Sequence, residues 1–317
     1  MERNLALELV RVTEAAALAS ARWMGKGDGL AADRAACEAM NMAIGSLKID
    51  GTIALGERQP DTPLSKGKKV GAGGEVEVDL ALDPLESIDS VAMGRTNAVS
   101  VAAMMEKGAL FSWPVRYMNK LVVGPEAAGK VDITASPLEN LVNIADAKRT
   151  YVEDLTVCIL DRERHKPLIE QVRATGARIR LILDGDSAAA IATAIPGSGI
   201  DVLMGTGGAH EGMLSAAALR CVGGVFQCQF HVQNGEEAKM LEASGLGPRD
   251  RVFTIQDLLG DSHVMFAATG VTDSEILKGV RFRQGGALTH SLVLRSKSGT
   301  IRFIETRHTF DRQPDYR

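Results

Sequence analysis

Residues 4–24, NLALELVRVTEAAALASARWM, repeat apolar positions at the spacing of one helical face. Gly25 and Gly27 close the run, so the chain is predicted to open on a long helix. A second helical pattern covers about Ala32 to Ile44. Strand patterns follow at GTIALGE, EVEVDLALD and NAVSVAAMM, which layers the helices on a mixed sheet with antiparallel strands. In VDLALDPLESIDS, residues 78–90, Val78, Leu80 and Leu82 alternate with Asp79 and Ala81 until Asp83-Pro84-Leu85-Glu86 breaks the alternation. Proline fixes φ and lacks an N–H, so it is expected to stop the strand here and to turn both carboxylates out of the ladder.

From about residue 152 the rhythm changes to strand-then-helix. LTVCILDRERH leads into a helix at Lys166–Ala174, RIRLILDGDS into AAAIATAI, and IDVLMGTGGAHEG into MLSAAALRCV. Three such units in succession predict parallel strands joined by crossover helices. VMFAATGVTD repeats the strand-to-loop form, and SLVLRSKSGTIRFIET predicts a closing hairpin about Ser298-Gly299. The fold class is α/β. A mixed sheet carries the acids in residues 1–150, strand–helix units fill residues 151–317, and the two halves pack closely enough to count as one domain.

Composition changes this picture by exclusion. With 317 residues, 45% of them hydrophobic, the chain can bury a large core as one big domain or two intimately packed ones. Its formal net charge of -4 and scattered Lys and Arg argue against nucleic acid as the main partner. No apolar run reaches the ~18 residues of a membrane span, and the start MERNLALELVRV is charged and helix-like rather than leader-like, so the cytoplasm is the expected compartment. Cys37, Cys158, Cys221 and Cys228 lie far apart with no CxxC pair and read as reduced, mostly structural residues.

The candidate chemistry sits where elements end. Each strand of the second half runs into a polar cluster: Arg162-Glu163-Arg164-His165, then Asp184-Gly185-Asp186, then Gly205 to Glu211. In open α/β sheets ligands bind outside the carboxyl ends of strands, beside helix amino termini whose N–H groups suit phosphate. One such cluster is an ordinary polar turn; three on one edge suit a small anionic ligand. The first half supplies acids: Asp33 at the start of the second helix, where a plain N-cap is an equal reading, Glu57 after a strand, and Asp83 and Glu86 around Pro84. Carboxylates that converge repel unless a cation joins them, and hard divalent ions such as Mg2+ or Mn2+ take oxygen ligands.

In order along the chain, LALELVRVTEAAALASARWMGKGD, IDGTIALGE, DPLES, RYMNKLVVGP, LDGDSAAAI, MGTGGAHEG and SKSGTIRFIETRH resemble the class II fructose-1,6-bisphosphatases, a branch of the lithium-sensitive phosphomonoesterase superfamily. The resemblance covers residues 1 to about 309. It implies a layered αβαβα fold, dependence on Mn2+ or Mg2+, and hydrolysis of the 1-phosphate of fructose 1,6-bisphosphate in gluconeogenesis, with sedoheptulose 1,7-bisphosphate as an additional substrate. By position, Asp33 and Glu57 match one pair of metal ligands, and Asp83, Glu86 and Glu211 match a second set. Tyr117, Arg162, Glu163, Arg164, Asp184, Gly185, Asp186 and Gly208 fall where the family contacts the sugar bisphosphate, together with Glu86, Ser87 and Ile88. Asp61 matches an acid near the site and is the candidate to orient or deprotonate the attacking water, with Glu57 and Asp83 beside it as catalytic acids. The implied partner is a small sugar bisphosphate, with neither nucleic acid nor membrane, and the Ala-rich helices suit a homo-oligomer.

The departures from the family pattern cluster near these acids. Gly56-Glu57-Arg58-Gln59 stands for Gly-Glu-Gly-Glu, and Asp83-Pro84-Leu85-Glu86-Ser87-Ile88 for Asp-Pro-Ile-Glu-Gly-Thr. Gly29 replaces a usual Lys, His210 a Pro, and CQFHVQNGEE a more basic segment. The ligands survive while the groups around them change, which can lower affinity or activity ~10–100-fold. Two readings follow: a working sugar bisphosphatase, or a diverged relative that binds sugar phosphate or metal with little turnover. A phosphatase for another monoester fits the Arg and Asp clusters less well.

Overall fold

The computed structural model describes residues 4–57, 62–109 and 113–310. Along the chain the first elements are α1 (Leu5–Ala21), α2 (Gly29–Gly45), β1 (Asp50–Leu55), β2 (Lys69–Val70), β3 (Glu77–Glu86), α3 (Ile88–Ala92), β4 (Val99–Glu106) and β5 (Tyr117–Val123). Next come α4 (Pro137–Lys148), β6 (Thr156–Leu160), α5 (Lys166–Ala174), β7 (Arg178–Ile182), α6 (Asp186–Ala192), β8 (Val202–Gly208), α7 (Ala209–Val222) and β9 (Val225–His231). The chain closes with α8 (Gly235–Ser244), β10 (Phe253–Thr254), α9 (Ile255–Leu259), β11 (Val264–Gly270), β12 (Arg281–Arg283), β13 (Gly286–Arg295) and β14 (Thr300–Thr309). Among the described residues no helix is long and apolar enough to cross a membrane.

These elements form two compact units, residues 1–111 with 262–317, and residues 112–261. The first is built on an eight-stranded sheet in the order β12-β13-β11-β4-β3-β1-β2, with β14 pairing β13. β1 and β3 are parallel, while β3, β4, β11, β13 and β14 pair antiparallel in turn. Helices α1 and α2 share a core with one face of this sheet: Leu9, Val12 and Ala16 join Leu80, Leu82, Ala102, Met104, Ala267 and Val293. Residues two apart on one strand look the same way, so this core takes alternate strand positions. The expected hairpin is present, with Gly299 in its turn.

The second unit holds a six-stranded sheet in the order β10-β9-β5-β8-β6-β7. Strands β7, β6 and β8 are parallel, as the strand–helix rhythm predicts. β5 runs against both β8 and β9, so the sheet as a whole is mixed rather than parallel. The reason is the crossover through α7, which skips one strand position that β5 fills in the opposite sense. Both β5 and α4 precede residue 150 and pack in the second unit, whereas β11 to β14 follow it and belong to the first sheet. Strand order along a chain does not fix which sheet a strand joins, because β pairing is non-local.

The stretch around Pro84 also differs from expectation. β3 continues through Pro84 to Glu86, and its pairing with β4 shifts register between Asp83 and Glu86. A bulge leaves a position outside the ladder, where a residue without an N–H sits at no cost, so the proline bends the strand instead of ending it.

Candidate active site

Asp33 and Cys37 lie four residues apart on α2, so one helical face presents both. The chain reaches Glu57 from β1 through a register irregularity between Ile53 and Leu55 and a single bridge to Ser65. Ligand atoms of Asp33, Cys37 and Glu57 all lie within 4.8 Å of one another. Asp33 is not the helix cap. Asp28 fills that place, its Oδ1 accepting from the Ala31 N–H at 2.9 Å, which leaves the Asp33 carboxyl for other work.

Burial raises the Asp33 carboxyl above its ordinary value. Burial, followed by the charges of Glu57, Asp33 and Asp83, also pushes the Cys37 thiol well up, which brings Asp83 into the same neighbourhood. A group of acids that resists ionisation on its own is relieved by a bound cation, so the donor set fits a divalent ion. Downstream, Glu86 and Ser87 are buried. Ser87 sits at φ 72°, uncommon for a residue with a side chain, and its buried Oγ has no hydrogen-bond partner among the described residues. Ile88, by contrast, opens α3 and packs against the core under α1 and α2. Arg58, Gln59 and Asp61 lie outside the described residues.

The second unit gathers the other predicted residues at the carboxyl ends of β6, β7 and β8. Tyr117 opens β5 opposite Gly208. Arg164 donates from Nη2 and Nε to the Thr206 carbonyl at 2.8 and 3.3 Å, and its guanidinium stands 5.4 Å from the Tyr117 ring centre. Arg162 donates to the Asp161 carbonyl at 3.0 Å. Glu163 turns elsewhere, into an exposed ion pair with Lys166 at 2.8 Å. Asp186 opens α6 just after Gly185. Glu211 sits in the first turn of α7 with its carboxylate folded against Gly208, where a Cβ would stand 1.9 Å from its Oε2, so a side chain at 208 would displace that carboxylate.

Asp184 is pushed up to about 6, first by burial and then by the charge of Asp186, with Arg162 pulling the other way. Because its value in the folded state exceeds the ordinary 3.8, the fold binds a proton that the unfolded chain has released, and stability falls as pH rises through about 4 to 6. The penalty above pH 6 is up to about 3 kcal/mol. Asp184→Asn should therefore raise the thermal midpoint at pH 8 and leave it unchanged at pH 4. An unchanged midpoint at pH 8 would show that this carboxyl ionises freely.

Three residues with no assigned role belong to these clusters. Cys37 is signalled by its i, i+4 spacing from Asp33. Lys120 is signalled by a charge in the middle of the apolar strand MNKLVV, where it pairs with Asp186 at 2.6 Å. His165 closes a polar turn: Nε2 accepts from the Thr206 N–H at 2.8 Å, so Nδ1 carries the proton and donates to the Leu160 carbonyl at 2.7 Å.

The chain matches the family described as bacterial fructose-1,6-bisphosphatase, glpX-encoded, over residues 3–308. It is 42% identical over 343 residues to the D-fructose 1,6-bisphosphatase class 2/sedoheptulose 1,7-bisphosphatase of Microcystis aeruginosa, covering 100% of this chain and 99% of the relative. A protein of the same name from Synechococcus sp. strain JA-3-3Ab is 42% identical over 339 residues, covering 99% of this chain and 98% of the relative. Acids grouped as for a cation fit a phosphatase. The chain belongs to the class II, glpX-encoded family of bacterial fructose-1,6-bisphosphatases.

Proposed function

We propose that this protein is a metal-dependent phosphoric monoester hydrolase of the cytoplasm that converts fructose 1,6-bisphosphate to fructose 6-phosphate and phosphate, and that sedoheptulose 1,7-bisphosphate is a second substrate. The observation that carries this reading is the convergence of Asp33, Cys37 and Glu57 within 4.8 Å, with Asp83 acting on the same thiol. Asp33, Glu57, Asp83 and Glu86 would hold Mn2+ or Mg2+, which supplies a nucleophilic water near neutral pH and offsets charge on the phosphoryl oxygens. The Ser87 hydroxyl is placed to hydrogen-bond a ligand oxygen. Arg164, anchored by one edge to the Thr206 carbonyl, keeps further N–H groups for a phosphate, and Asp184 and Asp186 accept from sugar hydroxyls. The exposed apolar residues Leu7, Met42 and Phe310 line one groove beside α1, which supports assembly as a homo-oligomer.

Phosphate release from a panel of sugar bisphosphates with Mn2+ or Mg2+ tests the reading directly. Preference for fructose 1,6-bisphosphate or sedoheptulose 1,7-bisphosphate is expected, and hydrolysis of inositol monophosphates alone would sink it. Arg164→Ala should raise KM about tenfold or more with little change in kcat, because a phosphate clamp binds ground and transition states alike. A change confined to kcat would remove Arg164 from that role. A second reading, binding with weak turnover, is favoured by one observation: the side chain at position 88 carries only carbon and is half-buried against the core.

A further inference from the structure

Lys120 stands in the middle of β5, opposite Gly205 on β8 and Cys228 on β9. Its Nζ lies 2.6 Å from Asp186 Oδ2, and the two side chains are only 1% and 6% exposed. Neither phosphate binding nor the acid group as described uses it. A buried ammonium is tolerated only when paired, and an apolar pair of the same volume is often as stable or more so, so stability alone does not account for it.

The surroundings are shaped around this pair. A Cβ at Gly207 would stand 2.2 Å from Asp186 Oδ2 and 2.9 Å from Lys120 Nζ, and one at Gly212 would stand 3.1 Å from Lys120 Cε. The void lined by Lys120, His165, Asp186, Thr206 and Gly207 is about 10 Å3, with room for no more than one water. The pair is therefore closely enclosed. Its acid lies two residues from Asp184, at the strand-end rim that holds Arg164 and Tyr117.

We infer that Lys120 is a positioning residue for the Asp186 carboxylate: the buried ammonium pins Oδ2, so that Oδ1 is presented in one fixed direction to the hydroxyls of a polyhydroxylated ligand. This rests on the reading that Asp186 contacts the sugar. An acceptor already held by a charge-assisted bond in a closely packed site loses little freedom when it binds, which is the advantage of preorganisation.

The test compares Lys120→Gln, Asp186→Asn and the double variant Lys120→Met with Asp186→Asn. Two readouts are taken: KM and kcat for fructose 1,6-bisphosphate, and the shift of the thermal midpoint by fructose 6-phosphate. Lys120→Gln should raise KM about tenfold or more while kcat stays within about threefold, since a pinned charged hydrogen bond is lost without touching the reacting phosphate. The double variant buries no unpaired charge, so it should fold even if Lys120→Gln does not, and its KM should match that of Asp186→Asn alone. A Lys120 variant whose midpoint drops while KM stays within twofold of the wild type would reduce the lysine to a structural role. A double variant far weaker than Asp186→Asn would show that Lys120 acts by another route. If the wild type releases no phosphate, the hydrolase reading fails separately. The positioning role then stands if fructose 6-phosphate shifts the wild-type midpoint but not that of Lys120→Gln, and falls if it shifts neither or both.

Discussion

Titration with Mn2+ is expected to raise the thermal midpoint by about 4 °C once the ion stands at ~100 times its dissociation constant. Linkage supplies about 2.7 kcal/mol at that ratio, and an unfolding entropy of ~2.1 cal/mol/K per residue over 317 residues converts it to temperature. Asp33→Asn should reverse the order. Without the ion the variant should be more stable than the wild type, because a carboxyl that burial holds above its ordinary value is replaced by a neutral amide. With the ion it should lose most of the gain, and phosphate release should fall by at least ~100-fold as charge stabilisation worth several kcal/mol goes with it. Asp83→Ala should lose the Mn2+ response in the same way, and a chelator should bring the wild type to its ion-free midpoint. If Mn2+ leaves the wild-type midpoint unmoved, the acid group is not a metal site.

The second large effect concerns two positions at which the chain departs from its family. Gly29 begins α2, and a Cβ placed there would stand 2.6 Å from Ile88 Cγ2 and 3.6 Å from the Cβ of Ala92. Nothing in the backbone requires glycine, since Gly29 is absent from the positive-φ set. The contact alone does. Cγ2 is bonded directly to a β-branched carbon and swings away only with χ1, so it cannot yield cheaply. The neighbouring segment is also clamped: the Gly25 and Gly27 N–H groups donate to the Val91 and Ala92 carbonyls at 2.8 and 3.0 Å. Gly29→Ala should therefore cost about 1–3 kcal/mol by overpacking in the wild type. In an Ile88→Ala background it should instead be neutral or stabilising by about 0.4–1 kcal/mol, the usual gain for Gly→Ala at a compatible helix position. Additive effects of the two changes, measured by denaturant unfolding, would refute the contact. For activity, Gly29→Lys alone should fail for the same steric reason. Ile88→Thr keeps a Cγ2 and admits a larger residue at 29 only by turning about χ1. A faster kcat for the Ile88→Thr, Gly29→Lys pair than for either single change would support the weak-turnover reading, and a wild type as fast as its relatives would end it.

Local pattern alone was sufficient for several of the elements and for the polar residues at their ends. The periodicities of α1, α2 and α5, the three strand–helix units, the hairpin about Gly299, and the placement of Arg164, Asp184 and Asp186 at strand ends follow from local patterns, because amphipathic spacing and turn residues act over a few neighbours. The position of Asp33 beside Glu57 was legible only as acids at element ends in need of a partner. What tertiary structure decided was everything set by contacts between distant segments. It put β5 antiparallel into the second sheet and β11 to β14 into the first, carried β3 through Pro84 as a bulge, and set Asp28 rather than Asp33 as the cap. It also brought Cys37 to the acid group, Lys120 to Asp186 and Ile88 to Gly29. Each of these is a choice among partners equally allowed by local pattern, and only close packing, in which a single methyl or ammonium excludes every alternative, selects one of them.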